Sequence, residues 1–341
     1  MVSITSHRPA KPGSMTKASP ALSSIGAPPT RYGSKPFIIV GGLGLALPLP
    51  LLSIASSPLT LGLSLLVFGA SLGSIDVAMN IHAVEVERAA GRLLMSGFHA
   101  LFSIGALAGS TLMTSLLSLH LGTLASTSIC SFLMLIAILV ASPRLHRSAQ
   151  AQDGPLFVLP REMVLLLGVL TAIAFLVEGA VLDWGALLMT DAGLVNESQG
   201  GAGYMLFSIG MTAGRLGGDP VVARFGNRAM LFWGSLLAVA GIAVLLVAPV
   251  ATLAIAGFLL LGLGASNLVP VLFRRAGTQN VMPVVVAVAA ITTTGYAGIL
   301  IGPAAIGFFA KVVGLAPAFW MLAALMCLVT LSARVVTTNH S

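Results

Sequence analysis

Charge is scarce in this sequence. Of 341 residues, 8% are Asp, Glu, Lys or Arg, while 57% are hydrophobic. A soluble domain carries about 25% charged residues, and so thin a set does not cover a soluble surface of this size. A soluble enzyme, a nucleic-acid binder and a disordered chain are therefore poor readings. Cysteine is almost absent. Cys130 and Cys327 are the two present; both sit in apolar runs, form no CxxC pair and read as buried thiols. The six histidines, at positions 7, 82, 99, 120, 146 and 340, have no metal-ligand spacing. No Gly-rich phosphate loop follows a strand, and no Ser/His/Asp order appears. The expectation is neither enzyme nor metal site nor cofactor. A membrane-embedded enzyme or scaffold ranks well below the reading that follows.

Long apolar runs take the place of charge. Mean hydropathy is +1.02. A membrane span takes about 20 apolar residues, and ten such runs are legible: 36–56, 58–80, 95–118, 121–141, 163–184, 200–218, 229–248, 251–273, 284–308 and 315–333. They do not alternate as barrel strands do. Their Leu/Ala/Gly/Val composition suits helices, which satisfy their own backbone groups in lipid. The expected fold class is an all-α polytopic membrane protein. Residues 1–35 form a polar tail rich in Ser, Pro, Lys and Arg, without the apolar core of a signal peptide. Residues 142–162 form the longest internal break. They separate a four-span bundle, 36–141, from a six-span bundle, 163–335.

The basic residues then give orientation. Sixteen of the 17 Lys and Arg fall in the tail or in breaks on one side; Lys311 lies alone on the other. This is the positive-inside pattern. It predicts both termini in the cytoplasm, contact with anionic lipid, and no nucleic-acid partner despite a pI of 10.1. Trp184, Tyr204, Trp233 and Trp320 fall at expected span ends, as an aromatic belt would place them.

An internal repeat is legible. Arg31-Tyr32-Gly33-Ser34-Lys35 matches Arg224-Phe225-Gly226-Asn227-Arg228, Gly69-Ala70-Ser71 matches Gly264-Ala265-Ser266, and Gly105 and Gly109 match Gly298 and Gly302. The offset is 193 to 195 residues. Gly105-x-x-x-Gly109, Gly210-x-x-x-Gly214 and Gly298-x-x-x-Gly302 share a small-residue step that lets helices approach closely. By this offset the counterpart of residues 163–218 lies upstream of Arg31.

Gly214-Arg215-Leu216-Gly217-Gly218-Asp219, followed by Arg224-Phe225-Gly226-Asn227-Arg228, resembles the loop signature of the major facilitator superfamily. The segment Gly69 to Arg92 and then Met95 to Gly109, with Glu178 to Trp184 and Gly262 to Gly277, is similar to a bacterial inner-membrane subgroup of unassigned substrate. The resemblance covers residues 27–335. It implies two six-helix halves around a central cavity and transport of a small solute by alternating access; the carboxylates inside the spans make a proton the candidate coupling ion. It also implies twelve helices, of which this chain matches the third through the twelfth. The first-half signature keeps only Arg31 to Lys35, and Gly26 stands where an acid is expected. No Arg lies within 58–80, and no Gly-Pro signature lies within 95–118, so a multidrug antiporter is the weaker member. The rivals are a truncated, non-transporting remnant and a ten-helix drug/metabolite-type carrier. The latter predicts an offset nearer ~150 residues on a base of two five-helix halves.

Charges inside a membrane are costly and point to function. Glu178 is the first candidate for a proton or substrate site, Asp76 and Asn80 share a helix face four residues apart, and Asn267 and Tyr296 are further candidate cavity liners beside Thr292–Thr294. Asp219 with Arg215, Arg224 and Arg228 is read as a cytoplasmic ion-pair latch. His99 is read as an interfacial hydrogen-bonding residue. Pro270 and Pro303 are expected to mark helix bends. No Lys or Arg is expected beside the cavity. Cargo, direction, coupling ion and oligomeric state are not legible.

Overall fold

The computed structural model describes residues 33–146, 160–196 and 199–338. Among them are twelve α-helices and no strand. The first bundle holds α1 (Ser34–Ala46), α2 (Pro48–Ile54), α3 (Pro58–Ala90), α4 (Met95–Ser118) and α5 (Thr123–Ala141). The second holds α6 (Glu162–Asp191), α7 (Ala202–Leu216), α8 (Gly218–Val247), α9 (Ala251–Ala265), α10 (Leu268–Thr278), α11 (Val284–Val313) and α12 (Leu315–Thr337). Counted by span, α1 with α2 and α9 with α10 each act as one. Nine spans among the described residues are long and apolar enough to cross a membrane. The tenth expected span forms α7, whose 15 residues reach about 22 Å at 1.5 Å per residue. The protein is a polytopic all-α membrane protein.

Local chemistry sets the breaks. Pro48, which has no amide hydrogen, separates α1 from α2. Ser57 and Thr60 form a reciprocal capping box at the start of α3: Thr60 N donates to Ser57 Oγ at 3.2 Å and Ser57 N to Thr60 Oγ1 at 3.1 Å. Gly91, at φ 60°, closes that helix in the left-handed region. The expected bend at Pro270 appears as the break between α9 and α10, at Ser266 and Asn267. Pro303 lies within the continuous α11, where its carbonyl accepts a hydrogen bond from Trp184 Nε1 at 3.2 Å. Trp184 lies inside α6 and binds α11, whereas the sequence suggested a span end. The helix continues to Asp191, past the apolar run.

One shift of 193 residues superposes the two bundles in order. It carries α1 with α2 onto 227–247, α3 onto 251–283, α4 onto 288–311 and α5 onto 316–334, which fall in the later part of α8, α9 with α10, α11 and α12. The packing repeats too: α1 lies on α3 and α5 as α8 lies on α9 and α12. Gly33 and Gly226, related by the same shift, have φ of 65° and 82° with extended ψ, a conformation open in practice to glycine alone.

In the second bundle α6 seats on α11 and α7 on α9. A methyl group at Gly298 would collide with the Ala172 carbonyl, and one at Gly302 with Leu176. At the repeat-related Gly105 and Gly109, nothing among the described residues lies within 4 Å. The same shift places no described residue opposite α6 or α7.

Candidate functional site

The start of α4 is where the bundles lock. A helix leaves its first amides without internal partners and carries a partial positive charge there. Leu94, at the cap position, offers no side-chain acceptor. Two carboxylates from elsewhere fill the role. Glu87 Oε2, near the end of α3, accepts from Leu94 N and Met95 N at 2.7 Å each. Asp219, at the start of α8, accepts from Ser96 N at 3.1 Å and Gly97 N at 2.9 Å.

Arg274 of α10 joins the two acids. Its Nε donates to Glu87 Oε1 at 2.8 Å, and its NH2 to Asp219 Oδ1 at 2.8 Å and Glu87 Oε2 at 3.3 Å. Its NH1 donates to Asn227 Oδ1 at 3.3 Å. Arg274 is buried, so its charge must be matched where it stands. Glu87 and the amides belong to the first bundle; Asp219, Asn227 and Arg274 belong to the second. The cluster therefore ties the bundles together on their basic side.

These contacts differ from the sequence expectation at three arginines. Asp219 binds Arg274, not Arg215, Arg224 or Arg228. Arg224 and Arg228 are exposed beside the Gly226 kink, with Arg224 over the Phe225 ring at 5.5 Å. Arg215 turns the other way, into the protein.

Arg215 builds a second layer. It bridges both bundles: NH1 donates to Ser103 Oγ of α4 at 2.6 Å, and Nε to the Ser266 carbonyl at 3.3 Å. Its NH2 lies 3.8 Å from Glu178 Oε2 on α6. The Glu178 side chain is 29% exposed and that of Arg215 6%, so the acid is partly accessible and the cation is nearly enclosed. The expectation that no Lys or Arg stands beside Glu178 fails here, because a long side chain at the end of α7 reaches to within 3.8 Å of it. His99 sits beneath this layer. Its Nδ1 is 3.0 Å from the Met95 carbonyl, and its carbonyl accepts from Ser103 Oγ at 3.2 Å.

The remaining candidates divide. Asp76 is half-buried on α3, with Asn80 Nδ2 3.3 Å from its carboxylate. The Tyr296 ring of α11 meets Phe175 of α6 edge-on at 6.3 Å. Asn267 is buried in the break between α9 and α10. Its Nδ2 donates to the Gly214 carbonyl at 2.7 Å and to Ser266 Oγ at 2.9 Å, tying α7 to the junction of α9 and α10. Thr292, Thr293 and Thr294 bond carbonyls of their own helix. The Gly-x-x-x-Gly residues Gly210 and Gly214 pack against α9 and Ser266, and Gly298 and Gly302 against α6.

Sequence reading missed Glu87 and Arg274 as a pair, and Ser103. A carboxylate capping a helix seven residues downstream has no linear signature. Arg275 was also missed as a buried anchor: its Nε donates to the Val336 carbonyl of α12 at 2.7 Å.

Comparison with known proteins agrees with this architecture. The Major Facilitator Superfamily profile matches residues 22–279. An uncharacterized MFS-type transporter of Yersinia pestis is 47% identical over 93% of this chain and 83% of its own length. The membrane protein MosC of Rhizobium meliloti is 31% identical over 86% of this chain and 72% of its own. Among solved structures, the transporter FucP in the outward conformation aligns with a TM-score of 0.72 at 16% identity, over 91% of this chain and 84% of FucP. The human organic anion transporter MFSD10 aligns with a TM-score of 0.72 at 14% identity, over 88% of this chain and 77% of its own. At those identities the structural likeness speaks for the fold alone. With the profile covering most of the chain and a close relative covering nearly all of it, the chain belongs to the major facilitator superfamily and is an integral membrane transporter of that family.

Proposed function

We propose that the protein moves a small solute by alternating access, with the basic side and both termini in the cytoplasm of a bacterial inner membrane. Glu178 is the cavity carboxylate and the proton site. The observation that carries the reading is Arg215, which holds Glu178 in its own bundle and Ser103 in the other. While Glu178 is ionised, Arg215 has a counter-charge and the interface stays closed. A proton on Glu178 leaves the guanidinium buried beside neutral partners, and an unmatched buried charge is costly. The closed state then loses stability relative to one in which the basic side opens and water reaches Arg215. The groups facing Glu178 in this scheme are Arg215 of α7 and, behind it, Ser103 and His99 of α4. The Glu87–Arg274–Asp219 cluster is the outer latch, released in the same movement.

The test uses Ser96→Cys, a fully buried position under the latch, with Cys130 and Cys327 replaced by alanine. In inside-out vesicles, labelling by an impermeant maleimide is expected to rise as pH falls. With Glu178→Gln it is high and independent of pH. Labelling that ignores both pH and Glu178→Gln contradicts the proposal.

A further inference from the structure

We propose that Asn267 is the positioning residue that couples the inner ion pair to the outer latch, so that a proton on Glu178 is felt at Arg274 and Asp219. The inference rests on the transport reading above and adds the route by which the two layers act together. Asn267 stands outside helical geometry, at φ −112° and ψ 6°, where α9 gives way to α10. It is buried, and so is Ser96 on the other side of the bundle interface.

Two contacts of Asn267 follow the position of Arg215. Its Nδ2 donates to the Gly214 carbonyl at 2.7 Å, one residue before that arginine. The same group donates to Ser266 Oγ at 2.9 Å, and the Ser266 carbonyl accepts from Arg215 Nε at 3.3 Å. A methyl group on Gly214 would collide with Ser266 Oγ, so the end of α7 lies on the break without slack. Close-packed contacts pass a displacement on rather than absorb it. On the other side α10 begins directly after Asn267, and its residues from Leu268 to Gly277 are all buried. Arg274 lies about two turns along that helix, bound to Glu87 and Asp219.

The third contact crosses the interface. A methyl group on Gly218 would collide with Asn267 Oδ1 and lie 2.7 Å from Ser96 Oγ. The two oxygens thus reach one point from opposite bundles, beside Asp219, which accepts from Ser96 N at 3.1 Å. Neither has a hydrogen-bond partner among the described residues. Because Asn267 Nδ2 faces a carbonyl, Oδ1 is the acceptor end of the amide, and the Ser96 hydroxyl is the complementary donor. Asn267 therefore meets α7, α10 and α4 at once. Loss of the Arg215–Glu178 attraction frees the end of α7, and the break carries that movement along α10 to Arg274. The charged and titratable groups about the junction are Glu178 and Arg215 on the inner side and Glu87, Asp219 and Arg274 on the outer. His99 of α4 joins them, its ring 6.1 Å from that of Phe273 on α10. Asn267 is the uncharged link between the two sets.

The test uses the full chain in lipid nanodiscs, with Cys130 and Cys327 replaced by alanine, Ser96 left native, and spin labels at Arg92 and Arg228, exposed positions in opposite bundles. Pulsed electron resonance reads the ratio of long to short distance. In this parent the ratio is expected to rise as pH falls, and at high pH Glu178→Gln raises it about five-fold or more, a usual size for coupling between sites. In Asn267→Ala the ratio is flat with pH and Glu178→Gln leaves it unchanged, while Asp219→Asn still raises it. A residue that merely stiffened the fold would shift the ratio and leave both responses to Glu178 in place. Undiminished responses to pH and to Glu178→Gln in Asn267→Ala overturn this inference and leave the transport reading standing. Loss of the Asp219→Asn response as well also overturns it, since Asn267 is then part of the latch and not the link to it. If Asn267→Ala does not fold, Asn267→Ser, too short to reach the Gly214 carbonyl, is read in the same way. A parent protein that ignores both pH and Glu178→Gln loses the transport reading, and this inference with it.

Discussion

Arg274 Nε lies 2.8 Å from Glu87 Oε1, across 187 residues of sequence and from one bundle to the other. Arg274 is the hinge point of the outer latch, since the same guanidinium holds Asp219. Removing one partner of a buried pair costs about 3–5 kcal/mol. Glu87→Gln and Arg274→Gln are each expected to favour the state open on the basic side. Together they shift it by less than the sum of the two, because each single change strands the other charge. A double-mutant cycle on Ser96→Cys labelling measures this; strict additivity contradicts it.

Asp219→Asn tests the capping of α4 separately. Asparagine keeps the shape but halves the acceptors and removes the charge that Arg274 and two amides share. A hydrogen bond to a charged group contributes about 1.5–3 kcal/mol, so labelling at Ser96→Cys is expected to rise roughly ten- to a hundred-fold. An unchanged rate removes Asp219 from the latch.

The repeat predicts opposite outcomes at matched glycines. Gly298→Leu drives a side chain into the Ala172 backbone, an overpacking with a typical cost of about 1–3 kcal/mol. Gly105→Leu meets open space among the described residues, and its cost is expected within about 0.5 kcal/mol. Unfolding in detergent, followed by helix content, compares the two. Equal losses would mean that α4 has a partner along that face.

Arg275 provides a contrast to Arg274. It points away from the interface, to the Val336 carbonyl at the end of α12. Arg275→Met is expected to lower thermal stability, through carbonyls left unpaired, while leaving the Ser96→Cys labelling rate unchanged. A shift in labelling as large as that of Arg274→Gln would contradict the distinction.

The spans, their order and the internal shift were legible because each rests on a long, additive signal. Apolar runs of about 20 residues mark helices, and Gly33 with Gly226 marks equivalent turns. The ends were less legible: α3 runs to Ala90 and α6 to Asp191, since a helix continues into water wherever no Pro or Gly stops it. The latch residue Asp219 was legible but its partner was not. The Arg-rich loop after it suggested Arg224 and Arg228, whereas the Gly226 turn leaves those exposed and brings in Arg274 from another helix. Asn267 read as a cavity polar group, yet the same chemistry serves equally to bridge a helix break. Ser103 had no signal, because a serine on a small-residue helix gains meaning only when Arg215 arrives from the other bundle.

The most direct test of the two-bundle account is a distance across the latch. Spin labels at Arg92, between α3 and α4, and at Arg228, on α8, sit on exposed positions in opposite bundles. Pulsed electron resonance is expected to give a short and a long distance in exchange, with Asp219→Asn and Glu178→Gln each enlarging the long population. A single distance, the same in the parent protein and in both variants, would contradict it.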